Sequence, residues 1–162
     1  MYKFNFHTPS SIKESIKIFK DSDNPKYLAG GMTLLGAMKQ KMSSPSDLID
    51  LSNILELNKM EMMGQKLFIG SMKTHNEIAY SQYVIDKFSG LAELAKNIAY
   101  NAVRNRGTIG GSICNADPAA DYPAALLSLG AEIVTNERII KSSDFFIDMF
   151  ETNLKLDEIV LG

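Results

Sequence analysis

The sequence predicts an α+β chain of two lobes, a small βαβαβ lobe over residues 1–55 and a larger mixed α+β lobe over residues 56–162. Three observations carry this. Short apolar runs alternate with amphipathic stretches at the start of the chain, as strands joined by helical crossovers do. Beyond them the pattern changes to paired short strands and separate helices, with no Gly-, Pro- or Ser-rich linker between the regions. The composition, 45% hydrophobic and 22% charged, suits a chain that buries a core.

Taken in order, Phe4 and Phe6 flank Asn5 in a strand that Thr8-Pro9-Ser10 breaks. Ser11 and Glu14 have capping-box spacing, and Ile12, Ile16 and Phe19 form the inner stripe of the helix that follows. Tyr27-Leu28-Ala29 is a buried strand ending at Gly30-Gly31. Thr33 is placed to cap a helix whose Leu34, Leu35, Met38 and Met42 face inward, until Ser43-Ser44-Pro45-Ser46 stops it. Leu48-Ile49 is the third strand. In the larger lobe, residues 59–63 and 66–69 form a hairpin about Gly64-Gln65. Short helical pieces follow at Ile78-Ala79 and 84–88, then a helix carried by Leu91, Leu94, Ala95 and Ile98. Residues 101–120 are glycine-rich and irregular; helix returns over 121–129, a second hairpin turns about Asn136-Glu137, and a short helix covers 145–150. The final run, Glu158-Ile159-Val160-Leu161-Gly162, is strand-like and apolar, and raises the expectation of a continuation or a covering partner.

Several function classes are disfavoured. A formal charge of −2, with lysines scattered among acids, offers no field for nucleic acid. The single cysteine, Cys114, excludes an internal disulfide, a CxxC redox pair and a self-contained iron–sulfur cluster, so any such centre comes from another chain. No apolar run approaches the roughly eighteen residues that cross a bilayer, and a cytoplasmic protein is expected. His7 and His75 lack the paired spacing of metal ligands, and His75 is read as structural; Cys114 is read as a small buried hydrophobe.

Two segments invite a ligand. In Leu28-Ala29-Gly30-Gly31-Met32-Thr33-Leu34, two glycines join a strand to a helix start. There the backbone can adopt positive φ and present successive N–H groups to an anion such as a diphosphate; a tight turn without a ligand is the competing reading. The second runs from Arg104 to Pro123 and contains Thr108, Gly110, Gly111, Ser112 and Asp121. Gly110, Gly111 and Ser112 could donate main-chain hydrogen bonds to a second face of a diphosphate, and Asp121 could accept from ribose or ribityl hydroxyls. The alternative is a long surface loop closed by Asx turns. Arg104 and Arg106 could steer phosphates, face a partner, or be solvated. Neither segment carries GxGxxG or GxxxxGK[ST], which weakens Rossmann and P-loop readings.

Together and in this order, the segments resemble the FAD-binding subunit or domain of the xanthine dehydrogenase and carbon monoxide dehydrogenase family, the molybdenum hydroxylases. Ala29-Gly30-Gly31-Met32-Thr33-Leu34-Leu35 with Met38-Lys39 is similar to the family's AGGxxLL motif and following helix. Arg104 to Gly111 and Ala116 to Asp121 are similar to its RNxGTIGGN and ADPAAD runs. Asp47-Leu48-Ile49-Asp50-Leu51, Ile69-Gly70 and Thr74-His75-Asn76-Glu77-Ile78 lie in register between them. Ser112 stands where the family usually has Asn, and Gly36 where many relatives have Pro.

The resemblance implies the two-lobed FAD fold of the vanillyl-alcohol-oxidase type, with non-covalent FAD between the lobes. It implies that Leu28, Ala29, Gly30, Gly31, Met32, Thr33 and Leu34, together with Thr108, Gly110, Gly111 and Ser112, wrap the diphosphate, and that Asp121 contacts FAD. It places 157–160 near the flavin. No residue of the chain is implied in acid–base catalysis. A large molybdenum subunit carrying molybdopterin and a small iron–sulfur subunit are the implied partners, with electrons leaving FAD for an external acceptor. Family members continue into a C-terminal domain that these 162 residues do not reach. A stand-alone flavin oxidoreductase of this fold and an FAD-free scaffold are the competing functions. A Gly110→Asp change is expected to abolish FAD retention while leaving much of the fold intact.

Overall fold

The alternating pattern of the first fifty residues forms β1 (Asn5–His7), α1 (Ile12–Lys20), β2 (Pro25–Leu28), α2 (Leu34–Lys39) and β3 (Asp47–Asp50) in a computed structural model that describes residues 1–162. The strands lie in the order β1-β3-β2, and β3 is parallel to both neighbours. Parallel pairing needs crossovers, which α1 and α2 supply. As the central strand, β3 buries Leu48 and Ile49 almost completely. The buried Asp47 at its start ties β1 to it: His7 Nε2 donates at 2.7 Å and Asn5 Nδ2 at 3.0 Å, with Ser46 Oγ at 2.7 Å. Those hydrogen bonds, His7's foremost, outweigh burial and hold the Asp47 carboxyl down at about 2.

Both helices differ in detail from expectation. Ser11 Oγ accepts from Glu14 N at 3.2 Å, but the Glu14 carboxylate turns to Ser10 N at 2.8 Å, so half of the capping box forms. Phe19 closes the inner stripe of α1 by stacking on Tyr27, ring centroids 4.7 Å apart. Thr33 makes no side-chain cap, because its backbone is already helical at φ −86° and ψ −52°. Met42 is 78% exposed rather than inward. Helix α2 stops at Lys39 and the chain reverses through Lys41 at φ +63°, which takes Met42 out of the helical register.

A 3₁₀ turn at Leu55–Asn58 leads to the antiparallel pair β4 (Met60–Met63) and β5 (Lys66–Ile69). Their two-residue turn starts at Gly64, whose φ of +66° is the reason for glycine there. Then come α3 (His75–Ala79), α4 (Gln82–Lys87), α5 (Ser89–Asn97), α6 (Asn101–Arg104), α7 (Ile109–Asn115) and α8 (Asp121–Ser128). The antiparallel strands β6 (Glu132–Val134) and β7 (Ile139–Lys141) follow, then α9 (Ser142–Phe145), β8 (Phe146–Asp148) and β9 (Glu151–Thr152). The helix expected over 145–150 is overturned: α9 ends at Phe145, whose carbonyl accepts from Asn153 N across the β8–β9 hairpin instead of continuing a helix.

Two hydrophobic cores result. The larger gathers Ile78, Val84, Tyr122, Ile133 and Phe145 from the helices and the β6–β7 hairpin. The smaller joins Phe19 and Ile49 to Leu57, Met72 and Ile159, so later segments close the face of the parallel sheet. The terminal run lies beside β6 through a bridge between Thr135 and Val160. It carries the buried Glu158. Burial alone would raise that carboxyl, but hydrogen bonds from Arg138, Lys155 N and Thr135, with the Arg138 charge, hold it at about 2. No helix is long and apolar enough to cross a membrane.

Candidate functional site

The two glycine-bearing segments, distant in sequence, touch. A Cβ at Gly30 would lie 2.0 Å from the Arg106 carbonyl oxygen and 2.9 Å from Gly107 Cα, and one at Gly111 would lie 3.6 Å from Ala29 Cβ. Gly30 is therefore glycine for close backbone approach, whereas Gly31, at φ +75°, turns the chain from β2 into α2. Leu28 is buried beneath this turn, Ala29 and Leu34 are half-buried, and Met32 and Thr33 are exposed at its rim.

The hydrogen bonds distinguish the segments. Leu35 N donates to Gly31 O at 3.0 Å, but the main-chain N–H groups of Gly30, Gly31, Met32, Thr33 and Leu34 find no backbone acceptor in the chain. Successive free donors at a helix start favour an anion. In the second segment the donors are occupied. Ile109 N donates to Lys73 O at 3.0 Å, Gly110 N to Ser71 O at 2.9 Å, Ser112 N to Thr108 O at 3.0 Å, and Gly111 N to Thr108 Oγ1 at 3.1 Å. Gly110 and Ser112 thus have their N–H groups committed within the protein, and the expected second row of main-chain donors is corrected accordingly.

The stretch expected to be irregular is largely helix. Thr108 caps α7, Ile109 and Ile113 bury one face four residues apart, and Ala116 ends it in the left-handed region at φ +46°. Its glycines serve packing: a Cβ at Gly110 would lie 2.5 Å from Ser71 Cβ and 2.6 Å from Ser71 O. The expectation that Gly110→Asp leaves much of the fold intact fails on that contact. Gly111 remains exposed and Ser112 half-buried at the surface of α7. Cys114 is exposed, not buried as expected: one residue beyond the buried Ile113, it lies about 100° further round α7.

Sequence reading missed the wall behind this helix. Residues 71–75 accept from Ile109 and Gly110, Thr74 bridges Thr108, and His75 N donates to Gly107 O at 3.0 Å. The one local signal was a complete capping box, Thr74 with Glu77, at the start of α3. His75 is 5% exposed, its Nδ1 is 3.2 Å from Tyr122 Oη, and burial pulls its pKa down to about 4. Asp121, the neighbour of the fully buried Tyr122, stands exposed in the first turn of α8. Arg104 is spent on structure, Nη1 donating to the carbonyls of Ile98 and Ala99 at 2.9 Å each, while Arg106 is exposed.

This arrangement matches known proteins over its whole length. Residues 2–162 match the family model described as the FAD binding domain in molybdopterin dehydrogenase. The chain is 35% identical to the carbon monoxide dehydrogenase medium chain of Hydrogenophaga pseudoflava, over 98% of this chain and 57% of that one. It is 33% identical to the nicotine 6-hydroxylase medium subunit of Paenarthrobacter nicotinovorans, over 96% of this chain and 56% of that one. Among solved structures, carbon monoxide dehydrogenase from Hydrogenophaga pseudoflava superposes with a TM-score of 0.96 at 35% identity, covering 99% of this chain and 57% of that chain. Quinoline 2-oxidoreductase from Pseudomonas putida 86 gives 0.95 at 30% identity, with 99% and 57% covered. The chain thus spans a little over half the length of these relatives. With both glycine motifs joined at one site inside this α+β fold, the chain belongs to the family of FAD-binding domains of molybdopterin dehydrogenases.

Proposed function

We propose that this chain holds FAD non-covalently between its lobes, residues 1–55 and 56–162, as the flavin station of a molybdenum-dependent dehydrogenase. A small iron–sulfur subunit and a large molybdopterin-carrying subunit are its partners, and the external acceptor draws electrons from this station. The single observation that carries the reading is the row of unpaired N–H groups from Gly30 to Leu34, seated against the second glycine motif.

FAD, when bound, supplies the redox chemistry, and the protein supplies position and electrostatics. The donors of Gly30 to Leu34 receive the diphosphate, with Leu28 and Ala29 setting the strand end from which they project. Thr108 and Gly110 fix α7 against residues 71–75, so that Gly111 and Ser112 form the facing surface. Asp121 accepts from sugar or ribityl hydroxyls. Stoichiometric FAD in the purified protein, read from its visible absorbance and lost on a Gly31→Val change, is the expected result. A parent protein that takes up no FAD, alone or in its assembly, overturns the reading and leaves a scaffold.

A further inference from the structure

We propose that His75 and Tyr122 form a positioning pair that keeps the Gly107 turn and the Asp121 end of α8 in register as the two walls of one nucleotide site. The proposal rests on the FAD reading above. His75 touches both walls. Its N–H donates to Gly107 O at 3.0 Å, and its Nε2 lies 2.6 Å from where a Gly107 Cβ would be. On the other side its Nδ1 meets Tyr122 Oη at 3.2 Å, with ring centroids 5.4 Å apart.

Gly107 is joined to Arg106, whose carbonyl abuts Gly30, and Tyr122 is joined to Asp121. A shift of the imidazole therefore moves backbone on both sides of the proposed cleft. Both rings are buried, so neither can be replaced by water without opening the core. The pair sits behind the site and touches no ligand itself, so its role is to position.

Protonation puts a charge where no countercharge reaches it. Lys73 and Glu77 pair with each other at 2.8 Å. Arg104 on α6 is spent on carbonyls, while Asp86 on α4, Glu93 and Lys96 on α5, and Asp121 on α8 are exposed. Tyr122 is the titratable group in contact, and burial raises its own pKa. The pH profile of FAD binding consequently reports on this pair.

The test is fluorescence titration of the full chain with FAD between about pH 7.5 and pH 3.5, for the parent, His75→Gln and Tyr122→Phe, with circular dichroism at each pH. Tyr122→Phe keeps the ring and is expected to stay folded while weakening FAD binding roughly fivefold, the equivalent of one lost hydrogen bond. In the parent, affinity is expected to stay level down to about pH 5 and to fall up to about fourfold by pH 3.5, as His75, held at about 4, takes up its proton; in His75→Gln that fall disappears. Amide resonances of Gly107 and Asp121 are expected to titrate together with the His75 ring. Parent binding that stays level to pH 3.5 in the folded protein, an unchanged fall in His75→Gln, or unchanged affinity in Tyr122→Phe overturns this pair while leaving the FAD site standing. A parent that binds no FAD at pH 7.5 overturns both.

Discussion

Replacing Gly30 by Ala is the sharpest test of how the two glycine motifs are joined. The new methyl carbon would start 2.0 Å from Arg106 O, 2.7 Å from Arg106 C and 2.9 Å from Gly107 Cα. All three are main-chain atoms, so no rotamer relieves the clash, and one loop must withdraw by more than an ångström to restore an ordinary contact. Gly30 is not in the left-handed region, so the change carries no conformational penalty of its own. Stiffening the unfolded chain favours folding by about 0.4–1 kcal/mol. Overpacking opposes it by about 1–3 kcal/mol, and the net is a loss of about 1–2 kcal/mol. For a chain of this size that corresponds to a fall in Tm of roughly 2–8 °C. Urea denaturation at unchanged m and FAD titration provide the assay, with affinity expected to fall more than stability because the displaced loop belongs to the proposed site. Gly36→Ala is the control: in α2 with nothing within 4 Å of its Cβ, it is expected to gain about 0.5–1 kcal/mol. A Gly30→Ala protein as stable and as tightly bound to FAD as the parent would refute the steric account, as would a destabilised Gly36→Ala.

Other substitutions probe the remaining findings. Arg138→Met strips the buried Glu158 carboxylate of its charged partner and is expected to lower stability at neutral pH, measured by urea midpoint. The Glu158 carboxyl is held at about 2, below its ordinary 4.5, so its stabilising share is complete above pH 4.5 and lost as pH falls towards 2; the cost of Arg138→Met shrinks over the same window, and a pH-independent cost would contradict the pairing. Met42→Lys is expected to change stability by no more than about 0.5 kcal/mol, whereas an inward Met42 would make it severely destabilising. Gly110→Asp is expected to yield a protein that unfolds or aggregates, seen by circular dichroism and size-exclusion chromatography, in place of a native fold that merely lacks flavin.

Local pattern accounts for much of the architecture. Strands and helices of the first fifty residues, both hairpin turns and the α8 helix were legible because alternation, periodicity and turn chemistry act within a few residues. The misreadings share a different origin. Met42 follows the helical spacing but falls after a chain reversal, and 145–150 has helical composition, yet Phe145's carbonyl is claimed by Asn153. Three glycines, Gly107, Gly110 and Gly111, made 107–111 look irregular, although Thr108 and the Ile109–Ile113 face support α7.

The sequence by itself determined that two glycine motifs exist, which family they resemble and where a strand turns into a helix, since each depends on residues within one or two turns of chain. Tertiary structure alone decided the order β1-β3-β2, the seating of Gly30 on Arg106 and the commitment of the α7 donors to residues 71–75 and Thr108. The physical reason is that a backbone N–H is available to a ligand only if no distant carbonyl has taken it. That depends on which segments pack together, and no local pattern records it.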